Sequence, residues 1–318
     1  MGGPTKTILF KARCSEEIGF GHVSRCLALA AKLPADWRPL LVLNPHPRGL
    51  ERAAAAGVET LAEPDMEALR HRRIDAVVYD SLQDDDVFFQ LVREVFLGGI
   101  VGLDYQNYAS PRVDVILALF CHQPKPAGCR ADIREGLEYA IIGDQFRPFR
   151  RLPPPVPERI GRALVLMGGA DPGALTLRAL EFLSGLDDPP RVDVVIGPLN
   201  PHADAARKLA WPEVAVHQNT LRLPELMAGA DAAISGCGTS FFELSFLGRP
   251  ALVLAQNAME RRFALHLESQ GLTFLAEPLS ARWADFATAP VRRALAEKQI
   301  RTFDGGGAAK ILAAAGVV

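Results

Sequence analysis

The chain predicts an α/β fold of two doubly wound, Rossmann-like domains, and three observations carry that expectation. Strand-like and helix-like segments alternate from end to end, a proline run interrupts the alternation near the middle, and each half opens on a strand that feeds a glycine loop. Short β-rich runs between longer amphipathic runs argue for parallel sheets covered on both faces. Ligands of such sheets sit outside the carboxyl ends of the strands, so two such domains facing each other are expected to form a cleft.

In the first half, strands are expected at 7–12, 40–43, 74–79, 99–103, 114–118 and 139–142, with helices at 23–33, 48–56, 65–72 and 84–95. Then comes Arg150-Arg151-Leu152-Pro153-Pro154-Pro155-Val156-Pro157, which continues neither helix nor sheet and reads as a semi-rigid linker. Beyond it the pattern restarts, with strands near 162–167, 191–196, 213–216, 231–234 and 250–254. Helices are expected near 173–185, 203–209, 222–229, 240–247 and 259–269. Gly305-Gly306-Gly307 reads as a joint before a short terminal helix at 308–312. The expected division is therefore a first domain at 1–150, a second at 158–300 and a terminal segment at 301–318.

Composition narrows the function classes. The 318 residues are 49% hydrophobic and 23% charged, enough apolar material for two cores. A net charge of −2 lacks the basic excess of a nucleic-acid-binding surface, and Arg70-His71-Arg72-Arg73 reads as the solvated end of a helix. No apolar run approaches the roughly 20 residues of a membrane span, and Met1-Gly2-Gly3-Pro4 lacks the layout of a secretory leader. The five cysteines (14, 26, 121, 129 and 237) form no disulfide framework. Cys121-His122 with Cys129 lacks an evident fourth ligand, so no metal site is expected. A cytoplasmic protein without cofactor follows as the expectation; oligomeric state is left open.

The residues that carry chemistry lie in the loops after strands. After Thr7-Ile8-Leu9-Phe10 the chain reads Ile18-Gly19-Phe20-Gly21-His22 before an amphipathic helix. Gly19 and Gly21 allow a sharp bend and close approach to a ligand, and His22 stands at a helix start, where unpaired N–H groups make the potential positive. An imidazole there is placed to handle a proton beside an anion; a polar residue at an exposed helix start is the plainer alternative. In the second half, Gly168-Gly169-Ala170-Asp171-Pro172 follows a strand. It reads either as a backbone cradle or as a plain turn, with Asp171 as helix cap. Gly236, Gly238, Thr239 and Ser240 form the stronger loop, an anion site suited to a diphosphate. Glu243, about one turn on, suits two sugar hydroxyls better than a phosphate, although Ser240-x-x-Glu243 is also a capping-box pattern. Gln256 and Asn257 end a strand at the same edge, where amides can position a sugar or a water; a turn asparagine is the alternative.

These residues, in their order and spacing, resemble the UDP-2,4-diacetamido-2,4,6-trideoxy-beta-L-altropyranose hydrolase family of pseudaminic acid biosynthesis. They also resemble the related spore-coat polysaccharide biosynthesis proteins, relatives of the GT-B glycosyltransferase that makes lipid II. The resemblance runs from Ile18-Gly19-Phe20-Gly21-His22 with Arg25-Cys26-Leu27, through Gly136-Leu137-Glu138-Tyr139-Ala140 and Phe146. It continues through residues 168–172 and 236–243 to Gly248, Pro250 and Asn257. It implies a GT-B fold and a metal-independent reaction on a UDP-sugar. It also implies His22 and Asn257 as catalytic residues and Glu243 as the ribose ligand. Arg25 and Asp80 are expected among the substrate-binding residues. The chain departs from the family where Leu82 follows Asp80-Ser81 in place of a tyrosine, and where Asp104-Tyr105 replaces an aspartate pair. Ala258 likewise stands where a glutamine usually follows the asparagine.

The reaction expected is attack by water on the anomeric carbon with inversion. UDP leaves onto the amides of residues 236–240, and His22 takes the proton. Two alternatives stand beside hydrolysis: a glycosyltransferase using the same donor with an acceptor hydroxyl, and a non-catalytic nucleotide-sugar binder.

Overall fold

The structure is a computed structural model that describes residues 5–15, 18–82, 84–218 and 220–318. The terminal Met1-Gly2-Gly3-Pro4 lies outside the described residues. The chain divides into two compact units. Met1–Ser15, Phe20–Ile141 and Gly305–Val318 make up the first, and Glu16–Gly19 with Ile142–Asp304 the second.

Among the described residues the first unit contains seven strands: β1 (Lys6–Ala12), β2 (Trp37–Leu43), β3 (Glu59–Ala62), β4 (Ala76–Asp80), β5 (Ile100–Leu103), β6 (Val115–Ala118) and β7 (Asp132–Glu135). They form one parallel sheet in the order β3-β2-β1-β4-β5-β6-β7. The middle strands are continuous apolar runs because both faces are covered: Ile8, Leu9 and Phe10 in β1, and Ala76, Val77, Val78 and Tyr79 in β4, are all buried. Phe88 and Phe89, from the helix Asp86–Val95, close on Tyr79 with ring centroids 5.4 and 4.6 Å apart. Each such side chain taken from water contributes about 1.5–3 kcal/mol.

The second unit contains β8 (Arg162–Leu166), β9 (Arg191–Ile196), β10 (Val214–Gln218), β11 (Ala232–Ser235), β12 (Ala251–Val253) and β13 (Phe274–Leu275). Its sheet is parallel in the order β10-β9-β8-β11-β12-β13. Both sheets reverse their winding at one point, between β1 and β4 in the first and between β8 and β11 in the second. In sheets of this kind the crevice at the reversal is the ligand site.

The structure departs from the sequence reading at sheet edges and late in the chain. No strand forms at 139–142. Leu137–Tyr139 is a single 3-10 turn, and the last sheet position goes to β7. The apolar residues Ala140, Ile141 and Ile142 are buried all the same. The helix Gly307–Ala314 covers this stretch so closely that a Cβ on Gly307 would lie 2.2 Å from the Ala140 carbonyl oxygen. The unexpected strands β3, β7 and β13 all hold sheet ends, where short or polar sequences such as Asp132-Ile133-Arg134-Glu135 suffice. The segment expected as a helix at 65–72 is a 3-10 helix, Glu63–His71. Two further helices, Leu279–Phe286 and Ala289–Thr302, complete the second unit. Among the described residues, no helix is long and apolar enough to cross a membrane.

Candidate functional site

At the reversal point of the first sheet, His22 occupies the second position of the helix Gly21–Ala30, and its ring is buried. Asp80 is the last residue of β4, paired in register with Ala12 of β1, so its side chain points to the face that this helix covers. His22 Nδ1 lies 2.6 Å from Asp80 Oδ1 and 3.2 Å from Arg25 Nη2. The carboxylate can only accept, and the guanidinium can only donate. In the neutral ring the shorter contact therefore places the proton on Nδ1 and leaves the lone pair on Nε2.

Arg25, one turn after His22, holds Asp80 with both ends of its fork, Nε to Oδ2 at 3.0 Å and Nη2 to Oδ1 at 2.5 Å. Its Nη1 reaches Asp104 Oδ2 at 2.5 Å. Asp104, just past β5, takes a left-handed backbone (φ 47°), and its Oδ1 accepts the Leu119 amide at 2.9 Å. Burial alone would push the fully buried Asp80 carboxyl up, but Arg25 and His22 outweigh it and hold the group below its ordinary 3.8. Burial likewise works against the Arg25 cation, and Asp80 and Asp104 more than restore it. The arrangement is an imidazole locked in one tautomer by a carboxylate that is itself locked by an arginine. Arg25 and Asp80, expected among the substrate-binding residues, bond to each other, with Asp80 also held to His22 and Arg25 to Asp104. The sequence pointed to Asp104 only as part of the Asp104-Tyr105 departure from the family and gave it no role; its signal was an acidic residue one step past a strand end.

At the second reversal point the chemistry comes from backbone. Gly168 takes φ 78°, which only glycine adopts without strain, and it is exposed with Gly169 half-buried beside it. Gly19, which counts with this unit, also has a left-handed φ of 68°, and a Cβ on it would lie 3.8 Å from Gly169 Cα. Asp171 is fully buried, and its two oxygens accept the Leu175 and Thr176 amides at 2.8 Å each. It takes the first two amides of the helix Leu175–Ser184, whose N-cap residue is Ala174, leaving Gly168 and Gly169 as the open part of this loop.

After β11, Gly236 and Cys237 are buried, Gly238 is exposed, and Thr239, Ser240 and Glu243 are half-buried. The helix Thr239–Phe246 starts one residue before Ser240. Its N-cap is Gly238, and no side chain caps it. Ser240 and Glu243 are therefore not a capping box, and the amides of the first helical turn point outward. Gln256 Nε2 donates to the Met167 carbonyl at 3.0 Å. Asn257 is the N-cap of the helix Ala258–Ser269, its Oδ1 accepting the Glu260 amide at 2.9 Å. The structure thus gives Asn257 the turn role that the sequence left as an alternative. Glu260, absent from the sequence reading, is half-buried beside these loops. Among the described residues no group of three or more His, Cys, Asp or Glu side chains is arranged to hold a metal ion.

Comparison with known proteins fits this architecture. No family model matches the chain. It is 25% identical over 273 residues to an uncharacterized protein of Methanocaldococcus jannaschii, a match over 78% of this chain and 55% of the other. It is 30% identical over 143 residues to the spore coat polysaccharide biosynthesis protein SpsG of Bacillus subtilis, over 44% of this chain and 42% of the other. The chain spans about half the length of the curated relatives it matches. Among solved structures, MurG of Acinetobacter baumannii superposes with a TM-score of 0.68 at 13% identity, over 98% of this chain and 100% of that one. The calicheamicin glycosyltransferase CalG4 gives 0.61 at 19% identity, over 98% of both chains. HepE of Anabaena, solved with UDP-glucose, gives 0.60 at 14% identity, over 97% and 99%. The fold is α/β of the GT-B type, with two Rossmann-like domains.

Proposed function

We propose that this chain is a nucleotide-sugar enzyme that moves a sugar from UDP to an oxygen nucleophile, with an acceptor hydroxyl as the first reading. The observation that carries it is His22: a buried imidazole with Nδ1 held by Asp80 and Nε2 left to accept a proton. Supporting it are the glycosyltransferases among the proteins of like fold and the similarity to a polysaccharide biosynthesis protein.

In this reading the second unit holds UDP. The amides that open the helix Thr239–Phe246, with Gly168 and Gly169, stabilise the diphosphate as it gains charge. Glu243 takes the ribose hydroxyls. The nucleophile's oxygen bonds to the anomeric carbon while the bond from that carbon to the phosphate oxygen breaks, and UDP leaves with the electron pair. The nucleophile's proton passes to His22 Nε2, and Asp80 stabilises the imidazolium that results. Attack from the face opposite UDP inverts the anomeric centre.

Hydrolysis is the second reading, favoured by the resemblance of residues 18–22 and 168–172 to the UDP-sugar hydrolases. The two differ only in the nucleophile. Proton NMR of the anomeric signal, with a panel of UDP-sugars alone and with sugar acceptors, separates them. Transfer predicts UDP release that depends on the acceptor and an inverted glycoside. Equal release with no acceptor present assigns the chain to the hydrolases. Binding without turnover of any donor contradicts both.

A further inference from the structure

Glu260 stands in the first turn of the helix Ala258–Ser269, where a carboxylate ordinarily complements the positive helix end. Here it reaches back to two other loops. Its Oε2 accepts the Gln256 amide at 2.9 Å, and the nearby Cys237 amide draws the carboxyl's pKa down. Gln256 follows β12, and Cys237 lies in the glycine turn after β11. Gln256 then ties the assembly to the end of β8 through its bond to the Met167 carbonyl, and the Asn257 cap fixes the Glu260 backbone. The ends of β8 and β12 are therefore tied together through Gln256, whose amide the Glu260 carboxyl holds. The fit is close, since a Cβ on Gly236 would lie 3.3 Å from Gln256 Nε2.

Among the described residues, no cation pairs with Glu260. The buried Cys237 thiol of the β11 turn feels its charge, and from the β12 loop it holds the neutral Gln256. Glu243 stands on the helix that follows the turn. Arg261 and Arg262 come next on its own helix, and Arg261 Nε is bound to Glu277 Oε2 at 2.9 Å. Burial without a counter-charge pushes the carboxyl above its ordinary 4.5, although the two amides work the other way.

We propose that Glu260 is a positioning residue for the UDP diphosphate. By holding the Gln256 amide, and through it the Gln256 side chain packed on Gly236, it fixes the turn so that the amides of Thr239 and Ser240 face the phosphates, and its negative charge, when ionised, opposes the nucleotide. This rests on the reading above that residues 236–240 take the diphosphate. Nucleotide binding then draws a proton onto Glu260, and affinity rises as pH falls.

The test compares wild type, Glu260→Gln and Glu260→Ala by calorimetry with UDP at about pH 5 and about pH 8, and by amide exchange without ligand. UDP titrates too, so the readout is the difference between variants. Glu260→Gln keeps an acceptor oxygen and loses the charge. It should bind UDP roughly fivefold tighter than wild type at the higher pH, the low end of ordinary site-to-site coupling, with the ratio shrinking toward one at the lower pH. Glu260→Ala loses the clamp, so it should bind more weakly than Glu260→Gln at both pH values and exchange the Cys237 and Gln256 amides faster. Wild-type affinity of Glu260→Gln at both pH values, or wild-type exchange in Glu260→Ala, overturns the proposal. If wild type binds no UDP at either pH, the nucleotide reading falls with it. Exchange at Cys237 and Gln256 still reports separately whether the clamp exists.

Discussion

At the ends of β1, β4 and β5 the first unit places His22, Arg25, Asp80 and Asp104, four ionisable side chains in one hydrogen-bonded chain. After β8, β11 and β12 the second unit places glycines, hydroxyls and amides, with the Glu260 carboxyl accepting the Gln256 amide. The two sheets wind alike, so topology fixes where a site lies and leaves its chemistry to the residues just past each strand. The first arrangement suits proton handling, because a charged network sets one tautomer of one ring. The second suits recognition of an anion, because backbone donors carry no net charge and need no counter-ion.

Replacing His22 with Ala breaks the proposed division of labour most sharply. Turnover should fall by about 100- to 10,000-fold while UDP affinity stays within about twofold, measured by steady-state kinetics and calorimetry. Loss of both together would mean that the two units do not divide the work. Asp80→Asn should lower turnover by about 100-fold, because the amide can donate to Nδ1 and favour the wrong tautomer. It should also cost about 3 kcal/mol in denaturant unfolding, since Arg25 loses its buried bidentate partner.

Acid separates the units more gently. Asp80, held by Arg25 and His22, and Asp85 and Glu63, both bound to the buried Lys11, all sit below their ordinary values of 3.8, 3.8 and 4.5, although burial works against each. Between the lowered and ordinary values the unfolded chain binds more protons than the folded one. The stability these groups contribute is therefore complete above about pH 4.5 and lost as pH falls through that window. Glu260 runs the other way: its folded pKa is raised, so its contribution is present in acid and lost as pH rises above 4.5. Asp193 is the second unit's own lowered carboxyl. Amide exchange from about pH 5 to about pH 3 should accelerate in β1 and β4 before it does at Cys237 and Gln256. The smallest effect is expected for Asn257→Ala, about 1 kcal/mol of stability from the lost cap with turnover retained. A large loss of turnover there would restore Asn257 to the chemistry.

What the sequence made legible follows from the range of each interaction. Glycine turns after apolar strands are local signals, so residues 18–22, 168–172 and 236–240 could be found directly. The pairing of His22 with Asp80 spans 58 positions and that of Arg25 with Asp104 spans 79, so no window of sequence holds either. The outer strands β3, β7 and β13 escaped because a sheet end needs no apolar run. Lys11 shows the same limit in the core. It sits fully buried with Glu63 and Asp85 on the face of β1 opposite Asp80, a partnership that a strand pattern alone does not announce. Glu260 was hidden differently, since an acidic residue in a first helical turn ordinarily reads as a helix-end complement.

The central claim is that His22 presents an unprotonated Nε2 because Asp80 holds the proton on Nδ1. Nitrogen-15 NMR of the His22 ring in the folded protein tests it most directly. The account predicts an Nδ1–H tautomer for the neutral ring, lost in Asp80→Asn; an Nε2–H tautomer in the unaltered protein would contradict it.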